Sequence, residues 1–349
     1  MMKLSISTLA QDLGLSRNTV SKALRLDPSV SAETQRRVIN AARAHGYRKL
    51  TPEAIRFATM QEKGKSTRNF AVLIARSTSD FWNRIMIGIV EEFKRWGGNC
   101  QLSFVTQQDE ETLVLPRELI RSGVEGIICM SVFSQPFTQM LKESVLPVIF
   151  LDMPPSEGVF PNLNGDTFIL EGERSIYEIT ADLLRRGRRN FSFIGNVYYC
   201  RTINDRWKGF CRALQEAGVP LRQEQCFIDG EEKAYYVYET LASVLDTFPS
   251  DIDAFVCAND TIASMVLRYC KQCGRRIPQE VAITGFDNMK ESQLLEPSIT
   301  TVNFGSYRLG RRLAQQLIWR LQNPDMPFEL THIETEPVIR ASSGIDIQL

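Results

Sequence analysis

The chain opens with two short apolar stripes of helical spacing. Leu9, Ala10 and Leu13 form one, and Val20, Ala23 and Leu24 form the next, after a break at Gly14-Leu15-Ser16. Gly14 can take the positive φ that ends a helix, and Ser16 has the side chain to cap the helix that follows. The spacing predicts two helices joined by a tight turn. A third is predicted over 32–44, with Ser31 as N-cap, Glu33 in the first turn and His45-Gly46 at the end. Val38, Ile39 and Ala42 give it the face that closes a three-helix core.

Beyond residue 69 the pattern changes. Phe70-Ala71-Val72-Leu73-Ile74-Ala75, Gly126-Ile127-Ile128-Cys129-Met130 and Pro147-Val148-Ile149-Phe150-Leu151 are nearly continuous apolar runs. Phe191-Ser192-Phe193-Ile194, Ala254-Phe255-Val256-Cys257 and Val281-Ala282-Ile283-Thr284 repeat the pattern, with amphipathic stretches such as 81–96 between runs. Strands covered on both faces read this way, so alternating strands and helices with parallel sheets are expected. Two such sheets make two lobes, with a cleft at the carboxyl ends of the strands, where open α/β folds bind ligands. Polar residues just after the strands are the site candidates: residues 77–83, Ser131, Asp152, Asn196, Asn259-Asp260 and Asp287. Singly, each is also explained as a helix cap or turn residue. Together, with Phe81 and Trp82 as stacking surfaces, they suit a polyhydroxylated ligand.

Charge adds a partner. The outer face of the second helix carries Arg17, Asn18, Ser21, Lys22 and Arg25, the side-chain types that bond guanine, adenine and phosphate in a major groove. The whole chain holds 41 basic and 41 acidic residues, but residues 1–68 hold 13 against 5 and the remainder 28 against 36. A module of net +8 on a body of net −8 is an electrostatic footprint for a polyanion, and with that helix face the expected partner is double-stranded DNA. Ser7, Ser16 and Thr19 complete the expected DNA-binding set.

Other chemistries find less support. No apolar run approaches the ~20 residues of a membrane span, and Met1-Met2-Lys3-Leu4 does not open a signal peptide, so a cytoplasmic protein without membrane association is expected. Eight scattered cysteines read as buried thiols. Cys270-Lys271-Gln272-Cys273 lies at a helix end, where the dipole has the wrong sign to stabilise a thiolate. His45 and His332 have no matching ligand spacing, so neither metal nor cofactor is expected. Gly64-Lys65-Ser66 ends like a phosphate-binding loop, but Thr59 stands where that motif needs glycine. Residues 51–69 read as a hinge or linker.

Several segments in order carry a specific resemblance. In the head these are residues 15–24, Val30-Ser31-Ala32-Glu33-Thr34 and Gly46-Tyr47. In the body they are Arg206-Trp207-Lys208-Gly209-Phe210, Cys257-Ala258-Asn259-Asp260, Ile277-Pro278-Gln279-Glu280, Gly285-Phe286-Asp287-Asn288, residues 297–302 and residues 338–343. The chain resembles the lactose-repressor (LacI/GalR) family of transcription regulators over nearly its full length. The resemblance implies a small all-α helix-turn-helix head (1–50), a hinge (51–69) and an α/β two-lobed periplasmic-binding-protein-like core (70–349). Lobe one is expected at about 70–164 plus 290–322, and lobe two at about 165–289 plus 323–349. It implies a homodimeric repressor on a near-palindromic operator, controlled by a small effector, a sugar or sugar derivative. Carried over by position, Arg206 and Asp287 bond effector hydroxyls, Asn259 assists, and Phe81 or Trp82 lines the other lobe; Asn83, Ser131 and Asp152 complete the expected effector set.

Two departures stand out. The proline expected soon after the Gly-Tyr pair comes only at Pro52, and the residue expected to wedge into the minor groove falls near Thr59-Met60, with Met60 or Phe57 as the wedge. Glu232 stands where an aromatic ligand-stacking residue is usual. Two other classes share the body pattern. A sugar-binding protein without a regulatory role would lack the basic head. A carbohydrate-acting enzyme would need a nucleophile, metal or paired acid–base set, and none is evident, so no catalytic residue is expected.

Overall fold

The computed structural model describes residues 5–44, 47, 50–51, 54, 57–58, 68–75, 80–116, 119, 123–130, 134–144, 146–155 and 165–344. The head is three helices, α1 (Ile6–Leu13), α2 (Arg17–Leu24) and α3 (Ala32–Ala44). Gly14 ends α1 at φ 64°. Ser16 caps α2 by accepting the Thr19 amide at 3.0 Å. Leu9, Leu13, Val20, Ala23, Val38 and Ile39 make the head core, and Ala54, Phe57 and Ala58 pack onto it. Arg36 lies 5.5 Å from the Phe57 ring centroid. Phe57 is therefore packed against the head core, and Met60 lies outside the described residues.

The body strands and helices follow in alternation. They are β1 (Arg68–Ala75), α4 (Asp80–Arg95), β2 (Gly98–Val105), α5 (Gln107–Thr112), β3 (Gly126–Met130), α6 (Gln135–Lys142), β4 (Val148–Leu151) and β5 (Asp166–Leu170). Next come α7 (Glu173–Arg185), β6 (Phe191–Ile194), α8 (Arg201–Glu216), α9 (Tyr238–Leu245), β7 (Ala254–Cys257), α10 (Asp260–Gln272) and β8 (Ala282–Thr284). The chain ends through α11 (Lys290–Leu294), β9 (Thr301–Asn303), α12 (Ser306–Gln322), β10 (Leu330–Ile333) and β11 (Glu336–Val338).

Lobe one is built on a parallel sheet of order β10-β5-β4-β3-β1-β2. Alternate side chains of β1 go to opposite faces. Phe70, Val72 and Ile74 meet α4 and α12, while Ala71 and Leu73 meet Phe137 and Leu141 of α6. Burial on both faces explains the continuous apolar run. Helices α4 and α12 touch backbone to backbone. A Cβ at Gly88 would lie 2.2 Å from the Tyr307 carbonyl oxygen, and one at Gly310 would lie 2.0 Å from that of Ile85.

Lobe two holds a parallel sheet of order β6-β7-β8, with α7, α8 and α10 around it. An antiparallel pair, β9 with β11, joins it through the buried Val302. The exchange points between lobes differ from those expected. Strands β5 and β10, expected in lobe two, hydrogen-bond within the lobe-one sheet. Residues 290–303, expected in lobe one, pack with lobe two, where Ser292 and Thr301 donate to Asp260 at 2.7 and 2.6 Å. The chain thus crosses between lobes near 171–172, 304–305 and 334–335. Short apolar strands carry no mark of which sheet they join, so these crossings are set by tertiary pairing.

Candidate functional site

On the head, Arg17, Asn18 and Arg25 are exposed and Ser21 is half-exposed. At 3.6 residues per turn these four fall within about a 100° arc of α2, and the buried Val20, Ala23 and Leu24 fall outside that arc. Lys22 sits at the edge of this face, its ammonium donating to Ser29 Oγ at 3.1 Å. Ser7 is exposed at the start of α1. Ser16 and Thr19 bond each other through their hydroxyls at 2.8 Å, so they shape the helix start as well as flanking the polar face. The arrangement is a rigid, capped helix that presents guanidinium and amide groups outward on a compact support.

The second region lies between the lobes. Arg206, on α8, is 5% exposed. Its guanidinium stacks 3.6 Å from the Phe286 ring centroid and donates to the Ala258 carbonyl, leaving a buried Nε without a hydrogen-bond partner among the described residues. From Phe286 a row of rings crosses to the other lobe. Phe286 stacks on Phe304 at 6.1 Å, Phe304 meets Phe81 edge-on at 5.7 Å, and Phe81 meets Trp82 at 4.5 Å. Phe304 packs against the cores of both lobes. Asn83, next on α4, is exposed, and Ser131 lies outside the described residues.

Asp287 follows β8 at φ 105°, with its amide donating to the Val302 carbonyl at 3.1 Å. The residue is half-exposed, and its carboxylate has no hydrogen-bond partner among the described residues. Desolvation by the surrounding protein pushes its pKa up to about 8; the Arg206 charge opposes that rise and the Asp260 carboxylate adds to it. Asp260 is buried and structural. Burial pushes its pKa up to about 6, against bonds from Thr301, Ser292 and the Met289 amide.

Three expected residues have their polar atoms engaged within the protein. Asn259 caps α10, accepting the Ile262 amide at 3.0 Å, and its Nδ2 donates to the Tyr236 hydroxyl at 3.0 Å. Asn196 donates to the Gly230 carbonyl at 3.0 Å and accepts the Tyr198 amide at 2.9 Å, as a turn residue does. Asp152 ends β4 at φ 71° and clasps the other lobe. Its carboxylate accepts the Met153 amide at 2.8 Å and the Thr202 amide at 3.3 Å, and takes the Thr202 hydroxyl as well. Burial raises the Asp152 pKa, and these donors, the Thr202 hydroxyl first, pull it back down. The Arg201 amide also donates to the Met153 carbonyl at 2.8 Å. Asp152 therefore joins lobe one to the first turn of α8 and has little acceptor capacity left for a ligand.

The rings of the cleft carry no polar signal after a strand. Phe304 directly follows β9, and Tyr198 and Tyr199 follow β6; extending the same positional rule to aromatics finds them. Tyr235 and Tyr236 follow no strand and carry no such signal. Among the described residues no group of three His, Cys, Asp or Glu side chains is placed to hold a metal ion. No described helix is long and apolar enough to cross a membrane. Cys270 is buried and Cys273 exposed, and both are free thiols. The cleft has the means to hold a small molecule by stacking and hydrogen bonding.

Comparison with known proteins fits both regions. Residues 5–49 match the profile described as bacterial regulatory proteins, lacI family, and residues 180–343 match that of a periplasmic binding protein-like domain. The HTH-type transcriptional repressor PurR of Mannheimia succiniciproducens is 27% identical over 343 residues, covering 97% of this chain and 98% of that protein. A transcriptional regulator CelR–cellobiose complex superposes with TM-score 0.68 at 22% identity, covering 97% of this chain and 99% of that one. A lac repressor dimer bound to operator and the anti-inducer ONPF superposes with TM-score 0.66 at 16% identity, covering 97% and 99%.

Proposed function

This chain belongs to the lacI family of bacterial regulatory proteins, and from that premise we propose that a sugar or sugar derivative held between its lobes controls the grip of its helical head on DNA. The protein is a DNA-binding transcriptional regulator. On this reading Arg17, Asn18, Ser21 and Arg25 meet the major groove, Lys22 stands at its margin, and Ser7, Ser16 and Thr19 contact the backbone. The operator is a near-palindrome read by a homodimer. An apolar outer face supports the second copy: Leu102 and Phe104 stand exposed on β2, the edge strand of lobe one, and Ile87 is exposed on the neighbouring α4. The protein works in the cytoplasm, where operator DNA is, and acts by binding, without catalysis.

One observation carries the effector reading. The buried Nε–H of Arg206 and the half-exposed carboxyl of Asp287 both lack hydrogen-bond partners among the described residues, and the Arg206 charge acts on Asp287, which follows strand β8 of lobe two. An unpaired buried donor beside an unpaired acid costs free energy that a ligand bearing adjacent hydroxyls returns. Phe304, Phe81 and Trp82 extend the site toward lobe one. Such a ligand favours one lobe placement over another and alters DNA affinity only through that difference. Asp287→Ala is expected to abolish the effector response while effector-free operator affinity stays within about twofold, a shift of under ~0.5 kcal/mol. Operator affinity across an effector titration at fixed salt tests this. Joint loss of thermal stability and DNA binding, with a normal effector midpoint in what remains, makes Asp287 a structural cap instead.

A further inference from the structure

Lobe two presents an aromatic rim that hydrogen bonding to a sugar leaves idle. Tyr198, Tyr236 and Val237 are 66%, 40% and 44% exposed. Their two loops are stitched together: the Val197 amide donates to Ile228 at 2.9 Å, and Asn196 Nδ2 donates to Gly230 at 3.0 Å. Beneath the rim Tyr199, Tyr235, Tyr236, Ile203, Ile262 and Asn196 line a crevice of about 10 Å³. That is room for about one water. The Tyr235 hydroxyl accepts the Gly230 amide at 2.9 Å, and Asn259 Nδ2 donates to the Tyr236 hydroxyl. With Asn196 engaged at both ends, the lining offers ring faces and methyl groups ahead of free polar atoms. Exposed rings clustered over such a lining mark a surface that is covered in use.

The polar demand lies one turn away. Ile203 and Arg206 are three residues apart on α8 and share a face. Ile262 is in the first turn of α10, beside Asn259. A molecule reaching both places has a hydroxyl-bearing edge toward Arg206 and Asp287 and a flat apolar face toward the tyrosines.

We infer that Tyr236, with Tyr199, Ile203 and Ile262, makes the cleft selective for a glycoside that carries a flat aryl group over the same sugar without one. Tyr236 is the outer, exposed wall of the crevice, which as it stands has room for about one water, so admitting a ring requires Tyr236 to move and give up its bond to Asn259. The inference rests on the effector reading above.

Paired phenyl and methyl glycosides of glucose, galactose, ribose and fucose test it on the full-length protein, by calorimetric titration. For at least one pair the phenyl member is expected to bind about tenfold tighter, the scale of one aromatic contact plus its buried area. Tyr236→Ala is expected to reduce that preference below about twofold, whereas Tyr236→Phe, which keeps the ring, retains it. Equal affinities within every binding pair, or a preference that survives Tyr236→Ala, overturns the inference; if Asp287→Ala still abolishes binding in those cases, the effector reading stands without it. Failure of all eight compounds to bind overturns both.

Discussion

Asp287 shows how one residue ties chemistry to conformation. Its carboxyl is raised to about 8 in the folded protein, above its unfolded value near 3.8. The protonated form is therefore favoured by folding, so its contribution is fully present below the unfolded pKa and is lost as pH rises toward 8. The neutral isostere escapes that loss. Asp287→Asn is expected to match the wild type in Tm near pH 4 and to gain on it progressively up to about pH 8, as differential scanning fluorimetry across that range would show. A variant that tracks the wild type at every pH contradicts a raised pKa. On the head, Arg17 and Asn18 are exposed and make no side-chain hydrogen bond or ion pair among the described residues, which suits them to reading bases. Replacing either by Ala is expected to cost about 1–3 kcal/mol on the true operator and much less on random DNA, measured at one salt concentration. Equal losses on both sequences make them phosphate contacts.

At the scale of elements, two junctions hold the core in shape. The first is the crossing of α4 and α12, where Gly88 and Gly310 let backbones touch. Gly310→Ala places a methyl against the Ile85 carbonyl and must push the helices apart. The expected cost is about 1–3 kcal/mol, read as a lowered midpoint in urea. The second is the clasp of β4 to α8. Thr202→Val removes the hydroxyl donor from the buried Asp152 carboxylate, which keeps the Thr202 and Met153 amides. A loss of about 1–3 kcal/mol in stability is expected, together with a larger spread of lobe separations in solution scattering. Unchanged scattering with lowered stability would confine the clasp to local packing. These junctions were illegible in the sequence for different reasons. Gly88 and Gly310 are 222 positions apart in the numbering, and a glycine inside a helical pattern names no neighbour. Asp152 was legible as a polar residue after a strand; that its oxygens face α8 and not a ligand depends on where the next lobe sits.

For the whole molecule, the division of charge and the exposed edge of β2 converge on one assembly. A single short recognition helix reads too few base pairs to select a site in a genome, and a second copy doubles the contact. Footprinting is expected to give two half-sites about one helical turn apart, near-palindromic in sequence. Sedimentation at the same protein concentration is expected to give a dimer, which Leu102→Lys with Phe104→Lys weakens by burying charge at the edge. A single asymmetric half-site, or a dimer indifferent to those changes, contradicts this arrangement.

The sequence by itself determined the local structure and the class of protein. The helical stripes, Gly14 and Ser16 specify the head because turn and cap preferences act over a few residues. The apolar runs specify buried parallel strands because two-sided burial leaves no polar alternation. Arg206 and Asp287 were singled out by motif and position, and in the fold the Arg206 charge acts on the Asp287 carboxyl. Tertiary structure alone decided which sheet received β5, β10 and residues 290–303, because strand pairing is non-local and these segments are alike in pattern. It also decided which polar side chains stayed free. Asn196, Asn259 and Asp152 are spent on loops, caps and the opposite lobe, whereas Arg206 Nε and Asp287 are not. Hydrogen-bond satisfaction here depends on the positions of groups 23, 34 and 50 residues away in the chain, and that is information only a folded chain supplies.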